Sequence, residues 1–475
     1  MLLAALAGCT VGPVFEPPAV DAPRNWGPTI ATVPSSVTSD GPDPRWWRSF
    51  NDPELNSLIN RAVAQNLDLK TAAERILQGR SERDVVALEG LPHIREQSSY
   101  ERFRYSTHGN PLGLVVPRPG ATPEVDVYQN GFSSSWELDL FGRVRRGVEA
   151  ANARTQSAVE DRNGVTLATE AELAQDYLSL RGTQALLVIA EGNLALAQEN
   201  VRLADSRRSF GTATTLETAQ ARAQQEVIAE RLPPLLARQA ATINAIGLLL
   251  AEQPRALEAE LRPPSALPTV PRLVPVGLPA TLVRRRPDIR RAEAGLHAAV
   301  AQTGVAVASF YPDVSLAGTF ALNSFQFKDA FSLYSRMFQV GPQVSIPIFQ
   351  GGQLRGTLRL RESQQREAAI TFQKTLLQAW REVDDALTDY AQAQARQDHA
   401  ARAVAQSQAA LAAARERFAA GAASFLNVTS AQAQLLGSQD DLATSGLEAA
   451  TDLVRLYRAL GGGWKIADAT SAAAP

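Results

Sequence analysis

The sequence predicts an α+β membrane protein of two similar halves, each a pair of amphipathic strands on a long helical hairpin, with four strands in all. Three observations predict it. The chain repeats its own pattern at an offset of about 210 to 220 residues, and stretches 142–208 and 352–418 run without a proline. Segments of about ten residues also alternate apolar and polar side chains with period two, the pattern of strands that cross a membrane. Composition removes other classes. Of 475 residues, 45% are hydrophobic and 20% charged, which fits neither a disordered chain nor a multi-span helical protein. With 47 basic and 49 acidic residues, the net charge of -2 leaves no nucleic-acid footprint. One cysteine and four scattered histidines (His93, His108, His297, His399) supply neither an intramolecular disulfide nor a zinc-type ligand set. No phosphate loop, HExxH or nucleophile-elbow pattern occurs, so neither an enzyme nor a bound cofactor is expected.

The elements follow in order. Residues 1–8 end in Leu6-Ala7-Gly8 directly before Cys9, which resembles a bacterial lipobox. On that reading residues 1–8 are the remainder of a signal peptide, and Cys9 carries diacylglycerol and palmitate, chains that hold a protein to a bilayer at about 0.8 kcal/mol per buried methylene. Residues 9–52, rich in Pro, Gly, Ser and Thr, read as an extended strap. The repeat then organises the rest. Asn66-Leu67-Asp68-Leu69 with Ala72 and Pro92 recurs as Arg286-Pro287-Asp288-Ile289 with Ala292 and Pro312; Phe141-Gly142-Arg143 recurs as Phe349-Gln350-Gly351-Gly352 with Arg355. Arg207, Gly211, Leu216, Ala221 and Gln224 recur 210 residues later as Arg417, Gly421, Leu426, Ala431 and Gln434. The first repeat occupies 53–253, a Pro-rich linker 254–279, the second repeat 280–464, and a disordered tail 465–475. The offset falls between Pro92 and Phe141, which places an insertion in the Pro/Gly-rich stretch 109–123. Arg284-Arg285-Arg286 before Pro287 reads as a helix start with flanking charges.

Each proline-free stretch, as one helix, would span about 100 Å, against a diameter of roughly 60 Å for a compact chain of this length. Trp380, Val383, Leu387 and Tyr390 carry the 3,4,3 spacing of a coiled-coil seam. Gly211 and Gly421 end the long helices and returning ones follow, giving two hairpins. Pro233-Pro234 should kink or split the first returning helix, whose counterpart has no such pair. Among the strands, Phe132, Ser134, Trp136, Leu138 and Leu140 oppose Ser133, Ser135, Glu137 and Asp139; Leu316, Gly318, Phe320 and Leu322 oppose Ser315, Thr319 and Asn323. The stretch 338–349 alternates likewise, and a fourth near Ile94 to Tyr105 alternates poorly. Four strands cannot close a barrel, since about eight is the practical minimum. Several chains must share one.

These residues resemble the TolC-like outer-membrane efflux proteins, most nearly the lipid-anchored OprM-like branch. The motifs are Cys9 with Val11-Gly12-Pro13; Trp46-Trp47-Arg48-Ser49-Phe50-Asn51-Asp52-Pro53-Glu54-Leu55; Arg285-Arg286-Pro287-Asp288-Ile289; Phe310-Tyr311-Pro312; and Leu460-Gly461-Gly462-Gly463-Trp464. The resemblance implies a homotrimer with one twelve-stranded β-barrel, continued by an α-helical barrel through the periplasm with a mixed equatorial domain. It implies an exit duct of a tripartite pump, passively conducting small molecules from an inner-membrane RND-type transporter through a periplasmic adaptor, with outer-membrane lipid around the barrel. A protein-exporting duct of type I secretion and a non-pore periplasmic scaffold are the alternatives. Arg207, Gly211, Arg417 and Gly421 match the adaptor-contacting tip. Leu426, Asn427, Ser430 and Glu217 fall at the periplasmic gate. There TolC carries two aspartates where this chain has Asn427 and Ser430. Glu217 keeps an acid, but the arginine that pairs with it in TolC aligns with Ala423. A less cation-selective entrance is therefore expected, unless Asp440 or Asp441 supplies the field.

Overall fold

The computed structural model describes residues 10–23, 26, 36–38, 43–104, 124–271 and 273–462. In chain order the first half holds β1 (Ser36–Thr38), α1 (Pro53–Gln65), α2 (Leu67–Leu88), β2 (His93–Arg104), β3 (Glu124–Glu137), α3 (Arg143–Ser209), α4 (Thr215–Ala229), α5 (Leu232–Leu249) and α6 (Glu258–Leu261). The second holds β4 (Leu273–Pro275), α7 (Pro279–Arg285), α8 (Pro287–Ala308), β5 (Asp313–Ser324), β6 (Arg336–Ser345), α9 (Gln353–Ala419) and α10 (Phe425–Ala459). Both α3 and α9 are 67 residues long, as their lack of proline predicts. The chain divides into two compact units: Met1–Pro18 with Ile76–Ser157 and Glu293–Thr371, and Ala19–Arg75 with Ala158–Ala292 and Phe372–Pro475.

The first unit carries an antiparallel sheet in the order β2-β3-β5-β6. Phe132 pairs with Phe320 and Phe320 with Phe338, while Ser133 pairs with Thr319 and Thr319 with Gln339. One face is thus an apolar row and the other a polar one, as period-two pleating requires. Among the described residues the apolar face has little cover: Phe338 is 75% and Val340 70% exposed. A face this apolar and this bare belongs against lipid or another apolar surface. The strands differ in extent from the sequence reading. Strand β3 begins at Glu124 and stops at Glu137, and β6 stops at Ser345. In the early part of β3, Val125 and Val127 fall in the polar row and Asp126 in the apolar one, which is why alternation did not reveal it. Strand β2 puts Glu96 opposite Phe132 and Ser98 opposite Asn130, so its weak pattern is a real polar interruption of the apolar face. Stretch 109–123, which the repeat marks as an insertion, lies outside the described residues.

The second unit is helical around one core. Asp52 caps α1, accepting from the Glu54 and Leu55 amides at 2.9 and 3.0 Å, and Pro53 occupies the first helical position. The same carboxylate accepts from the Tyr177 hydroxyl of α3 at 2.7 Å. Val383, Leu387 and Tyr390 are buried with Leu453, Val454 and Tyr457, and Trp380 packs beside them; this is the expected α9 seam. Pro233-Pro234 follows a break between α4 and α5, whereas α10 runs unbroken for 35 residues. The internal repeat has a structural counterpart. Asn66 Nδ2 donates to the Leu249 carbonyl that ends α5 (3.0 Å), and Arg286 Nη1 donates to the Ala459 carbonyl that ends α10 (2.9 Å). Each half thereby ties the start of its short helix to the end of its returning one. Two segments read as irregular are packed. Within 9–52, a 3₁₀ turn at Trp46–Phe50 buries Trp46, Trp47 and Phe50, with Trp46 stacked on Tyr457. Within 254–279, α6 and β4 bury Leu257, Leu261, Val274 and Val276, and β4 pairs in parallel with β1.

Candidate functional site

Both hairpin ends of the second unit are built alike. At the end of α3 the Gly211 amide donates to the Arg208 carbonyl (3.0 Å) and the Thr212 amide to Arg207 (2.9 Å). At the end of α9, Gly421 donates to Phe418 (3.0 Å) and Ala422 to Arg417 (2.8 Å). This is the paired bonding of a Schellman turn. Its φ values of 71° at Gly211 and 70° at Gly421 are the left-handed conformation that glycine adopts without a steric cost. Apart from the adjoining backbone, no atom of the described residues lies within 4 Å of where a Cβ would stand at either position, so conformation rather than space requires glycine.

The two returning helices start differently. Thr214 and Glu217 form a capping box: the Glu217 amide donates to Thr214 Oγ1 (3.2 Å), and the Thr214 amide donates to Glu217 Oε2 (2.8 Å). Glu217, the acid expected at the gate, is thus engaged in starting α4. At α10 the corresponding Asn427 accepts from the Ser424 hydroxyl through Oδ1 (3.1 Å), without closing such a box. Leu426, Asn427 and Ser430 are exposed, whereas Phe425, Val428 and Thr429 are buried. At i, i+3 and i+4 spacings the first three share one helix face. The three residues of α10 expected at the gate thus share one exposed helix face, while Glu217 lies on α4 within its capping box.

Beneath the turns the hairpins meet on an aromatic floor. Phe425 is buried with Ala204 and Ala221, and Val201 and Phe418 pack against them. Phe418 and Phe425 have ring centroids 5.6 Å apart. The Arg207 guanidinium lies 4.6 Å from the Phe418 centroid, a cation–π distance, and Arg207 with Glu217 lines a small cleft over these rings. Arg417 is exposed. Two polar rungs tie α3 to α10 farther from the turn: Asn200 Nδ2 to Gln432 Oε1 (2.6 Å) and Asn193 Nδ2 to Gln439 Oε1 (3.0 Å). Asp440, weighed as a source of charge, pairs with Arg231. Burial pushes its carboxyl above the ordinary value, and Arg231 opposes that; Asp441 is exposed. Sequence reasoning missed Phe418 and Phe425. Their signal was a departure from the repeat, since the corresponding positions are Arg208 and Thr215.

Cys9 lies outside the described residues, but the chain just after it is fixed within the first unit. The Val11 amide donates to the Phe141 carbonyl (3.3 Å), Arg146 Nε donates to the Val11 carbonyl (3.4 Å), and Phe15 stacks on His297 at 4.3 Å.

An amphipathic sheet with an exposed apolar face in one unit and paired helical hairpins in the other fit the class of outer-membrane efflux channels. The chain belongs to the outer membrane efflux protein family, whose model matches residues 58–251 and 278–462. It is 31% identical to the solvent efflux pump outer membrane protein SrpC of Pseudomonas putida, over 97% of each chain. It is also 31% identical to outer membrane protein OprJ of Pseudomonas aeruginosa, over 97% of this chain and 94% of that one. The solved outer-membrane channel OprN superposes with a TM-score of 0.86 at 32% identity, covering 96% of this chain and all of that one. The protein is an outer-membrane efflux channel that extends into the periplasm.

Proposed function

We propose that three copies of the chain form one duct, twelve strands closing the barrel, which passively conducts small molecules handed over by an inner-membrane RND-type transporter and its periplasmic adaptor. The observation that carries this is the four-stranded sheet. Among the described residues, β2 and β6 each pair on one side only, and an open sheet edge does not occur in the hydrocarbon of a membrane. Further copies must cover those edges. The tip residues Arg207, Gly211, Arg417 and Gly421 are the surface for the adaptor, and Leu426, Asn427 and Ser430 line the entrance. Cys9 carries the acyl anchor, in keeping with a strap held against Phe141 just after β3.

A threefold ring of Asn427 and Ser430 is neutral, and neutral rings do not select cations as acidic ones do. Trimers that survive warm detergent in the outer-membrane fraction test the assembly; recovery of monomers alone contradicts it. Ser430→Asp should raise cation selectivity in planar bilayers. A wild-type channel already strongly cation-selective, and indifferent to this change, would sink the neutral entrance.

A further inference from the structure

The polar face of the sheet carries few charges, and the arginine in it stands apart from the acids. The pairing that puts Phe132, Phe320 and Phe338 in the apolar row puts Arg95, Ser133, Thr319 and Gln339 side by side in the polar one. Arg95 is exposed, and among the described residues it pairs with no carboxylate. The acids of this face are placed elsewhere. Glu137 stands four residues beyond Ser133, about 13 Å along β3, and is held by Arg143 at 2.6 Å; Asp313 at the start of β5 is attracted by the same arginine. Glu101 stands six residues beyond Arg95 on β2, about 20 Å away, more than twice the screening length of about 8 Å at physiological salt. Glu96, next in sequence, lies in the apolar row and accepts from the Ser98 hydroxyl. His93, Gln97, Ser133 and Ser135 flank Arg95 in the polar row, hydrogen-bonding groups without negative charge.

We propose that Arg95 selects solutes by charge as they pass the barrel, and that those it favours are small organic anions bearing carboxylate, sulfonate or phosphate groups. The proposal rests on the trimeric duct described above. Once the apolar face meets lipid, the polar face lines the water path, and three chains make Arg95 a ring of one sign, the device by which pores favour ions of the opposite sign. A guanidinium stays charged at every working pH and offers a planar fork matched to carboxylate and phosphate oxygens. The Ser133 hydroxyl and the Gln97 amide supply further donors beside it. Because Arg95 is exposed, the attraction is that of a surface pair, enough to favour entry and too little to prevent release: one such contact changes occupancy about 1.4- to 5-fold. This selection belongs to the sheet and is independent of the side chains at Asn427 and Ser430.

Purified full-length trimers in planar bilayers test it, through the reversal potential across a potassium chloride gradient and through block by citrate. Arg95→Gln should lower the chloride-to-potassium permeability ratio about 2- to 5-fold and weaken citrate block by a similar factor. Arg95→Glu should lower the ratio further. Arg95→Lys keeps the charge and loses the fork, so it should keep the wild-type ratio while weakening citrate block. The difference between wild type and Arg95→Gln should shrink as salt rises from about 0.1 to about 1 M, where the screening length falls from about 10 to about 3 Å. An Arg95→Gln channel with the wild-type ratio and wild-type citrate block overturns the proposal. So does an Arg95→Lys channel whose ratio matches that of Arg95→Gln, because the position would then act through its packing and not its charge. Wild-type trimers that give no conductance steps overturn the duct itself, an outcome separate from both.

Discussion

Replacing Arg286 by methionine should be among the most costly single changes in the helical unit. The arginine side chain is only 9% exposed. It donates from Nε and Nη2 to Asp288 (3.0 and 2.6 Å), from Nη2 to Glu382 (2.6 Å), and from Nη1 to the Ala459 carbonyl (2.9 Å). Burial works against its charge, but the bonds and charges of Asp288 and Glu382 outweigh it and hold the guanidinium above its ordinary pKa. The magnitude follows from what methionine leaves behind. Asp288 and Glu382 are 36% and 47% exposed, so both carboxylates rehydrate and each lost pair costs at most about 1 kcal/mol. Ala459 is 7% exposed, so its carbonyl stays buried without a donor at about 1–3 kcal/mol. The sum is about 1–5 kcal/mol, reaching the 3–5 typical of breaking a fully buried pair only at its upper end. The guanidinium midpoint of the detergent-solubilised protein, followed by far-UV ellipticity, measures it. Asn66→Ala is the internal comparison, because Asn66 makes the equivalent tie in the first half to a half-buried carbonyl at Leu249 and caps α2 besides. It should cost about 1–2 kcal/mol. An Arg286→Met protein as stable as the wild type, or more stable than Asn66→Ala, would refute this account of the tie.

Burial pushes the Glu170 carboxyl up to about 9, above the value near 4.3 of an unfolded chain. The folded state therefore keeps a proton the unfolded state loses, and stability falls as pH rises from about 5 to 9; Glu170→Gln should flatten that profile and gain on the order of 3 kcal/mol at pH 7. Equal pH profiles for the two proteins would contradict it. Gly211→Ala and Gly421→Ala should each cost about 1–2 kcal/mol through left-handed strain alone, read as faster amide exchange at Thr212 and Ala422. Cys9→Ser should abolish incorporation of radiolabelled palmitate while the protein still reaches the outer membrane; retained label would remove the anchor from Cys9.

Much of this fold was legible because its signals are periodic. The lack of proline over 67 residues set both long helices, Pro233-Pro234 marked the break between α4 and α5, and the 3,4,3 spacing around Val383 named the core seam. What stayed hidden has local causes. Pro-rich composition masked packing at Trp46–Phe50 and in 254–279, since irregular backbone still buries tryptophan and leucine when a neighbouring helix offers a surface. Early β3 and β2 put Asp126 and Glu96 into the apolar row, so alternation failed there although the ladder did not. At the tip, the two glycine turns could be read from the repeat, but the contact of Arg207 with Phe418 lies in a departure from it. Phe418 carries meaning only once Arg207 is seen above its ring.

The central claim is that this chain, by assembling, encloses a water-filled path across the outer membrane. Single-channel recording of the purified full-length protein in planar bilayers tests it most directly. The account predicts discrete conductance steps from the trimer fraction and none from monomers. A correctly folded trimer that inserts into the bilayer and yet gives no steps would contradict it.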